Sequence, residues 1–198
     1  FFLSIYLQQV AGFSTPQTGL ALIPVSLVSM VVAPSTGRLL KRFGPRRVLF
    51  AGMMASAVGL IGVGVLESFG YWALVVPLAL LGFSFGSVLT TAAELVLLSA
   101  PPERAGAAVG VSETSFELGG AVGIALLGSM ITLVDHRVAA TPELLSDTAA
   151  YATAVSTTAL LAGAALAVAA FLTARRVPHT RPDQVPAEVH VDDVAGTP

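Results

Sequence analysis

Five stretches of this chain, about 18–40, 47–66, 71–99, 104–134 and 149–174, are apolar for some twenty residues or more, and the charged residues gather mostly between them. A run of ~20 apolar residues matches a hydrocarbon layer ~30 Å thick, and a helix satisfies its own backbone hydrogen bonds there. Few folds meet that constraint. The expectation is an all-α, polytopic membrane protein, its spanning helices joined by short turns. Composition points the same way: charged residues make up 11% of the chain and mean hydropathy is +0.82, whereas a soluble domain carries about 25% charged residues. There is no cysteine, so disulfides, thiolate nucleophiles and cysteine metal sites are excluded. No cofactor and no nucleic-acid partner are expected.

The first apolar run, 1–10, is about half a spanning helix. It lacks the basic start of a signal peptide. It reads as the end of a helix that begins upstream, so the chain is expected to be part of a longer protein. Pro24 and Pro34 in the next segment predict kinks. Tyr71 and Trp72 open the 71–99 segment and look like interfacial anchors. Gly82-x-x-x-Gly86 in the same segment is a helix-packing pattern. Residues 1–176 form the expected transmembrane unit. The remainder, 177–198, is polar and broken by prolines, a composition that predicts disorder. With loops alternating sides, Arg38, Lys41, Arg42, Arg46, Arg47, Arg104, Arg175, Arg176 and Arg181 fall on one side and Arg137 alone on the other. The basic side is the cytoplasmic one by the positive-inside rule, which predicts a multi-pass protein of the cytoplasmic membrane.

The 102–130 stretch is mostly apolar yet carries Glu113 and Glu117. On a helix, one stripe reads Gly106, Gly110, Glu113, Glu117, Gly120, Ile124, Gly128, with steps of three or four, the helical period. Glycine stripes let helices approach closely, so this face, with Gly119 and Gly123 beside it, is expected to pack against a neighbour. Counted from Arg104 at 1.5 Å per residue, Glu113 and Glu117 lie roughly 13 and 20 Å into the layer. Ionising an acid at that depth costs about 2.5 kcal/mol or more. No basic residue shares that depth, so Glu117 is expected to rest protonated. Glu94, near the far end of its segment, reads as an acid at the interface.

Two further stretches carry a resemblance. The loop GRLLKRFGPRR resembles the G-x-L-x-D-R-x-G-R-R signature of the major facilitator superfamily through Gly37, Leu39, Arg42, Gly44, Arg46 and Arg47; Lys41 stands where that signature has its acid. The start of the chain resembles the fourteen-helix drug–proton antiporters of that superfamily through Tyr6, Leu7, Gln8, Gly12, Ser14, Gly19, Leu20 and Pro24. Leu118, Gly119, Gly123, Ile124, Ala125, Gly128 and Ser129 resemble their penultimate helix. The resemblance implies the C-terminal six-helix half of a multidrug exporter, with its first helix incomplete and its N-terminal half as partner. It implies proton-driven efflux of hydrophobic cations. Glu117 and Glu113 would be the coupling acids and Gly37, Arg42, Gly44 and Arg46 the conformational loop.

Other readings compete. A transporter of similar build could carry a metabolite, and a membrane scaffold could carry nothing. Gly82-Phe-Ser-Phe-Gly86 also fits the G-x-S-x-G pattern of serine hydrolases. That chemistry needs a base beside the serine and a strand-to-helix turn. His136, His179 and His190 all lie in an outer loop or the tail, so no enzyme is expected.

Overall fold

The computed structural model describes residues 2–9, 12–66, 69–138 and 148–176. The expected tail, 177–198, and most of the polar loop before the last helix lie outside the described residues. Helices α1 (Phe2–Gln9), α2 (Thr15–Ala21), α3 (Ile23–Phe43), α4 (Pro45–Leu66), α5 (Tyr71–Ser99), α6 (Ala105–Val138) and α7 (Thr148–Arg176) follow in order, with one 3₁₀ turn, Pro102–Arg104, before α6. The protein is an all-α, polytopic membrane protein. Among the described residues, four segments are long and apolar enough to cross a membrane: Thr15–Phe43, Pro45–Leu66, Tyr71–Ser99 and Thr153–Thr173.

The expected segment 18–40 begins earlier and is broken. Ser14 caps α2: its hydroxyl accepts from the Gln17 N–H, and the Gln17 side chain accepts from the Ser14 N–H at 2.8 Å, a reciprocal box that fixes a helix start. α2 then stops at Leu22 because Pro24 has no N–H to offer a preceding turn. Val25 donates instead to Leu22, at 3.1 Å. The Tyr71 hydroxyl donates to the Ala21 carbonyl at 3.2 Å. Tyr71 is therefore half-buried and holds the break, while Trp72, 84% exposed, is the outward-facing aromatic of the pair. Pro34 sits inside α3 without ending it. The next hydroxyls, on Ser35 and Thr36, donate back to the Val31 and Val32 carbonyls at 2.8 and 2.9 Å.

The basic stretch is hardly a loop. α3 runs on to Phe43, Gly44 is the single joint, and α4 starts at Pro45. Gly44 has φ +78°, a backbone state that strongly favours glycine, and Pro45 suits a first helical position because no N–H is needed there.

α5 is the centre of the packed body. It runs parallel to α3 and antiparallel to α4. A Cβ at Gly82 would overlap the Val25 carbonyl oxygen of α3, and one at Gly86 would lie 3.1 Å from Ser29 O and from Ala33 N. On the other side, Gly52, Gly59 and Gly62 of α4 lie against Ser87, Leu81 and Pro77. α7 then packs antiparallel on α4, with Gly64 against the Ser156 carbonyl and Gly163 against the Ala57 carbonyl. At the non-basic end Leu7, Ala21, Ala154 and Val155 form one buried cluster that fastens α1 to α2 and α7. Hydroxyls buried on α5 are satisfied within the helix: Ser87 donates to Phe83 O at 2.7 Å and Thr91 to Ser87 O at 2.6 Å.

Candidate functional site

α6 follows α5 through the tight 3₁₀ turn and leans on α5 and α7 with one face only. Along it Ser112 is buried, and Ala108, Phe116, Leu127 and Met130 are half-buried. These positions recur at helical spacing and form the packed face. An adjoining stripe, Gly106, Gly110, Glu113, Glu117, Gly120 and Ile124, is exposed, while Gly128 at its far end is half-buried. Gly119 and Gly123 have no atom within 4 Å of where a Cβ would stand, so among the described residues no helix meets them closely. Leu127 belongs to the packed face. The physical reason is that Phe116, Leu127 and Met130 have side chains to bury, whereas the glycine stripe offers little area to its own bundle.

Glu113 and Glu117 are one turn apart on the exposed stripe. At 1.5 Å per residue they stand about 12 and 18 Å along α6 from Ala105. Neither makes an ion pair among the described residues. Glu94 is half-buried on α5, five residues before its end at Ser99, and no hydrogen bond joins it to either acid. The structure thus groups Glu113 with Glu117 and leaves Glu94 apart.

Between the ends of α5 and α6 lies an open cleft of about 560 Å³, lined chiefly by Leu95, Val96, Ala107, Ala108 and Val111 with Arg104 at its edge. Sequence reasoning did not find it; the small residues Ala107 and Ala108 one turn into α6 were the available signal. Of the aromatics available to a greasy cavity, Phe116 is half-buried on the packed face of α6, Phe85 is 63% exposed, and Phe83 is half-buried beside α3 and α4. Gly82-Phe-Ser-Phe-Gly86 lies in the unbroken middle of α5 with Ser84 buried, not on a strand-to-helix turn. Gly37 is half-buried with open space at its Cβ position, and Arg46 is half-buried at the start of α4.

Among curated proteins the chain is 34% identical over 132 residues to the tetracenomycin C resistance and export protein of Streptomyces glaucescens, covering 66% of this chain and 24% of that protein. It is 33% identical over 149 residues to the multidrug efflux pump LfrA of Mycolicibacterium smegmatis, covering 72% of this chain and 30% of the pump. It is 35% identical over 127 residues to the methyl viologen resistance protein SmvA of Salmonella typhimurium, covering 64% and 26%. The chain therefore spans between a quarter and a third of the length of these relatives. A family model described as Major Facilitator Superfamily matches residues 1–193. With its bundle of apolar helices and nearly its whole length matched, this chain belongs to the Major Facilitator Superfamily.

Proposed function

We propose that this chain is the C-terminal half of a proton-driven exporter of hydrophobic cations in the cytoplasmic membrane, with Glu117 as the coupling carboxylate and Glu113 as its helper. The observation that carries this reading is the exposed stripe of α6, which holds Glu113 and Glu117 one turn apart and has open space at Gly106, Gly110 and Gly120 among the described residues. An intramembrane acid rarely faces lipid; it faces a partner or a water-filled path. In a transporter built of two halves, the substrate site lies near the midplane between them. The glycine stripe suits that place, because small residues leave room beside the acids.

The mechanism follows from cost. A carboxylate in hydrocarbon costs about 2.5 kcal/mol or more. In this exchange, proton and substrate cation compete for one oxygen pair on Glu117. Glu113, one turn nearer the basic end, relays the proton or helps select cations. The names of the relatives speak of export, efflux and resistance, and they support drug export as the direction of transport. The basic ends of the helices would face the cytoplasm.

The test uses inverted vesicles carrying the full-length protein. Energised vesicles should accumulate a cationic dye and lose it when an uncoupler is added. Transport that persists unchanged with the uncoupler rules out proton coupling.

A further inference from the structure

Positive charge at the α3–α4 joint adjoins an apolar groove. Arg38, Lys41, Arg42 and Arg47 are exposed, and none makes an ion pair among the described residues. From Gly37 to Ala51 the chain has no acid. Lys41 and Arg42 end α3, where the helix dipole favours cations. Arg47 stands in the first turn of α4, where the dipole already presents a positive end and a further cation is unfavourable without an anion nearby. Beside it Leu39, Phe43, Arg47, Val48, Ala51 and Phe83 line a groove of about 250 Å³ between α3, α4 and α5. The Arg42 guanidinium lies over the Phe43 ring, 5.2 Å from its centroid. Arg47 thus lines the groove, and Arg42 of the other helix stands over Phe43, one of its lining rings.

We propose that this groove binds one anionic phospholipid, its phosphate between Arg42 and Arg47 and the upper part of one acyl chain against Phe43 and Phe83. Arginine suits phosphate because its planar donors can bind two oxygens at once. The occupant is a lipid rather than a soluble phosphate because five of the six lining residues are apolar. The groove also lies at the ends of spanning helices, where headgroups sit, and basic pockets between such helices recognise acidic headgroups. A zwitterionic headgroup would bring its own cation toward the arginines. This site is remote in sequence from Glu113 and Glu117 and does not depend on what the transporter carries.

The test is native mass spectrometry of the full-length protein, titrated with phosphatidylglycerol or with phosphatidylcholine of the same acyl chains. Each basic residue at an anionic surface contributes about fivefold, so the wild-type protein should retain phosphatidylglycerol at least about tenfold more strongly. The double variant Arg42→Gln with Arg47→Gln should lose that preference, and Arg42→Lys with Arg47→Lys should keep most of it. Ala51→Trp, which fills the groove and leaves the rim charges, should weaken phosphatidylglycerol retention. Equal retention of the two lipids by the wild-type protein overturns the proposal without reference to any variant. So does a folded Arg42→Gln, Arg47→Gln protein with undiminished preference. Displacement of the lipid by equimolar glycerol phosphate would make this a soluble-phosphate site and overturn it as well.

Discussion

Substituting Gly82 by alanine adds one carbon where α5 crosses α3. That carbon would overlap the Val25 carbonyl oxygen and lie 3.0 Å from the Val25 carbonyl carbon and Cα. All three are backbone atoms, which cannot rotate aside as a side-chain tip can. Carbon atoms pack best at about 3.5–4.0 Å, so α3 must retreat by roughly half an ångström to one ångström. The retreat also loosens Gly86, whose Cβ position lies 3.1 Å from two backbone atoms of the same helix, and such gaps forfeit about a quarter to a half of each contact. Overpacking of this kind costs about 1–3 kcal/mol. Gly119→Ala is the matched control: it makes the same chemical change in a helix, with no atom within 4 Å. Both gain the helical preference of alanine over glycine, about 0.5–1 kcal/mol, so the difference between them isolates the overlap. In reversible unfolding of the full-length protein in mixed micelles, Gly82→Ala should fall about 1–3 kcal/mol below Gly119→Ala. Equal stabilities would refute the close α3–α5 crossing. A loss at Gly119 as large as that at Gly82 would refute the open space beside Gly119.

Tyr71→Phe removes the hydroxyl that reaches Ala21 across the helix break; the same unfolding assay should register a loss of about 1 kcal/mol, and no loss would mean the break holds itself. Leu7, 1% exposed, joins α1 to α7; Leu7→Ala should cost about 2–5 kcal/mol and speed hydrogen exchange in α1, and unchanged exchange would separate α1 from the bundle. In a cysteine-free background of the full-length protein, an impermeant thiol reagent applied to intact cells should label Thr141→Cys and spare Arg42→Cys. The reverse pattern would invert the orientation inferred from basic residues.

The spanning helices were legible because apolar length and hydrogen-bond demand leave a membrane chain little choice. The close contacts were legible only in part. Gly82-x-x-x-Gly86 and Gly119-x-x-x-Gly123 are the same pattern in sequence, yet the first pair lies against α3 and the second against open space. Spacing says that a helix could approach; which helix supplies atoms there depends on the tertiary arrangement. On α6 the decision falls to Ser112, Phe116 and Leu127, which turn their own face inward. The α3–α4 joint was misread as a loop because charge was taken to mark its extent. A helix end carries lysine and arginine readily in its last turn, so only Gly44 interrupts the two helices. The partner of Tyr71 lies fifty residues upstream, on a carbonyl at the break forced by Pro24, and no local pattern around Tyr71 announces it. The pairing of Glu113 with Glu117 was legible, since residues four apart on a helix share a face.

The coupling role of Glu117 is tested most directly by proton release from the purified full-length protein when a cationic substrate is added in weakly buffered detergent solution. The wild-type protein should release protons on substrate addition. Glu117→Gln, folded and equally stable, should release none, and Glu113→Gln should release fewer than wild type, while Glu94→Gln should behave as wild type. Proton release from Glu117→Gln equal to that of the wild type would contradict the account and move the coupling site off α6.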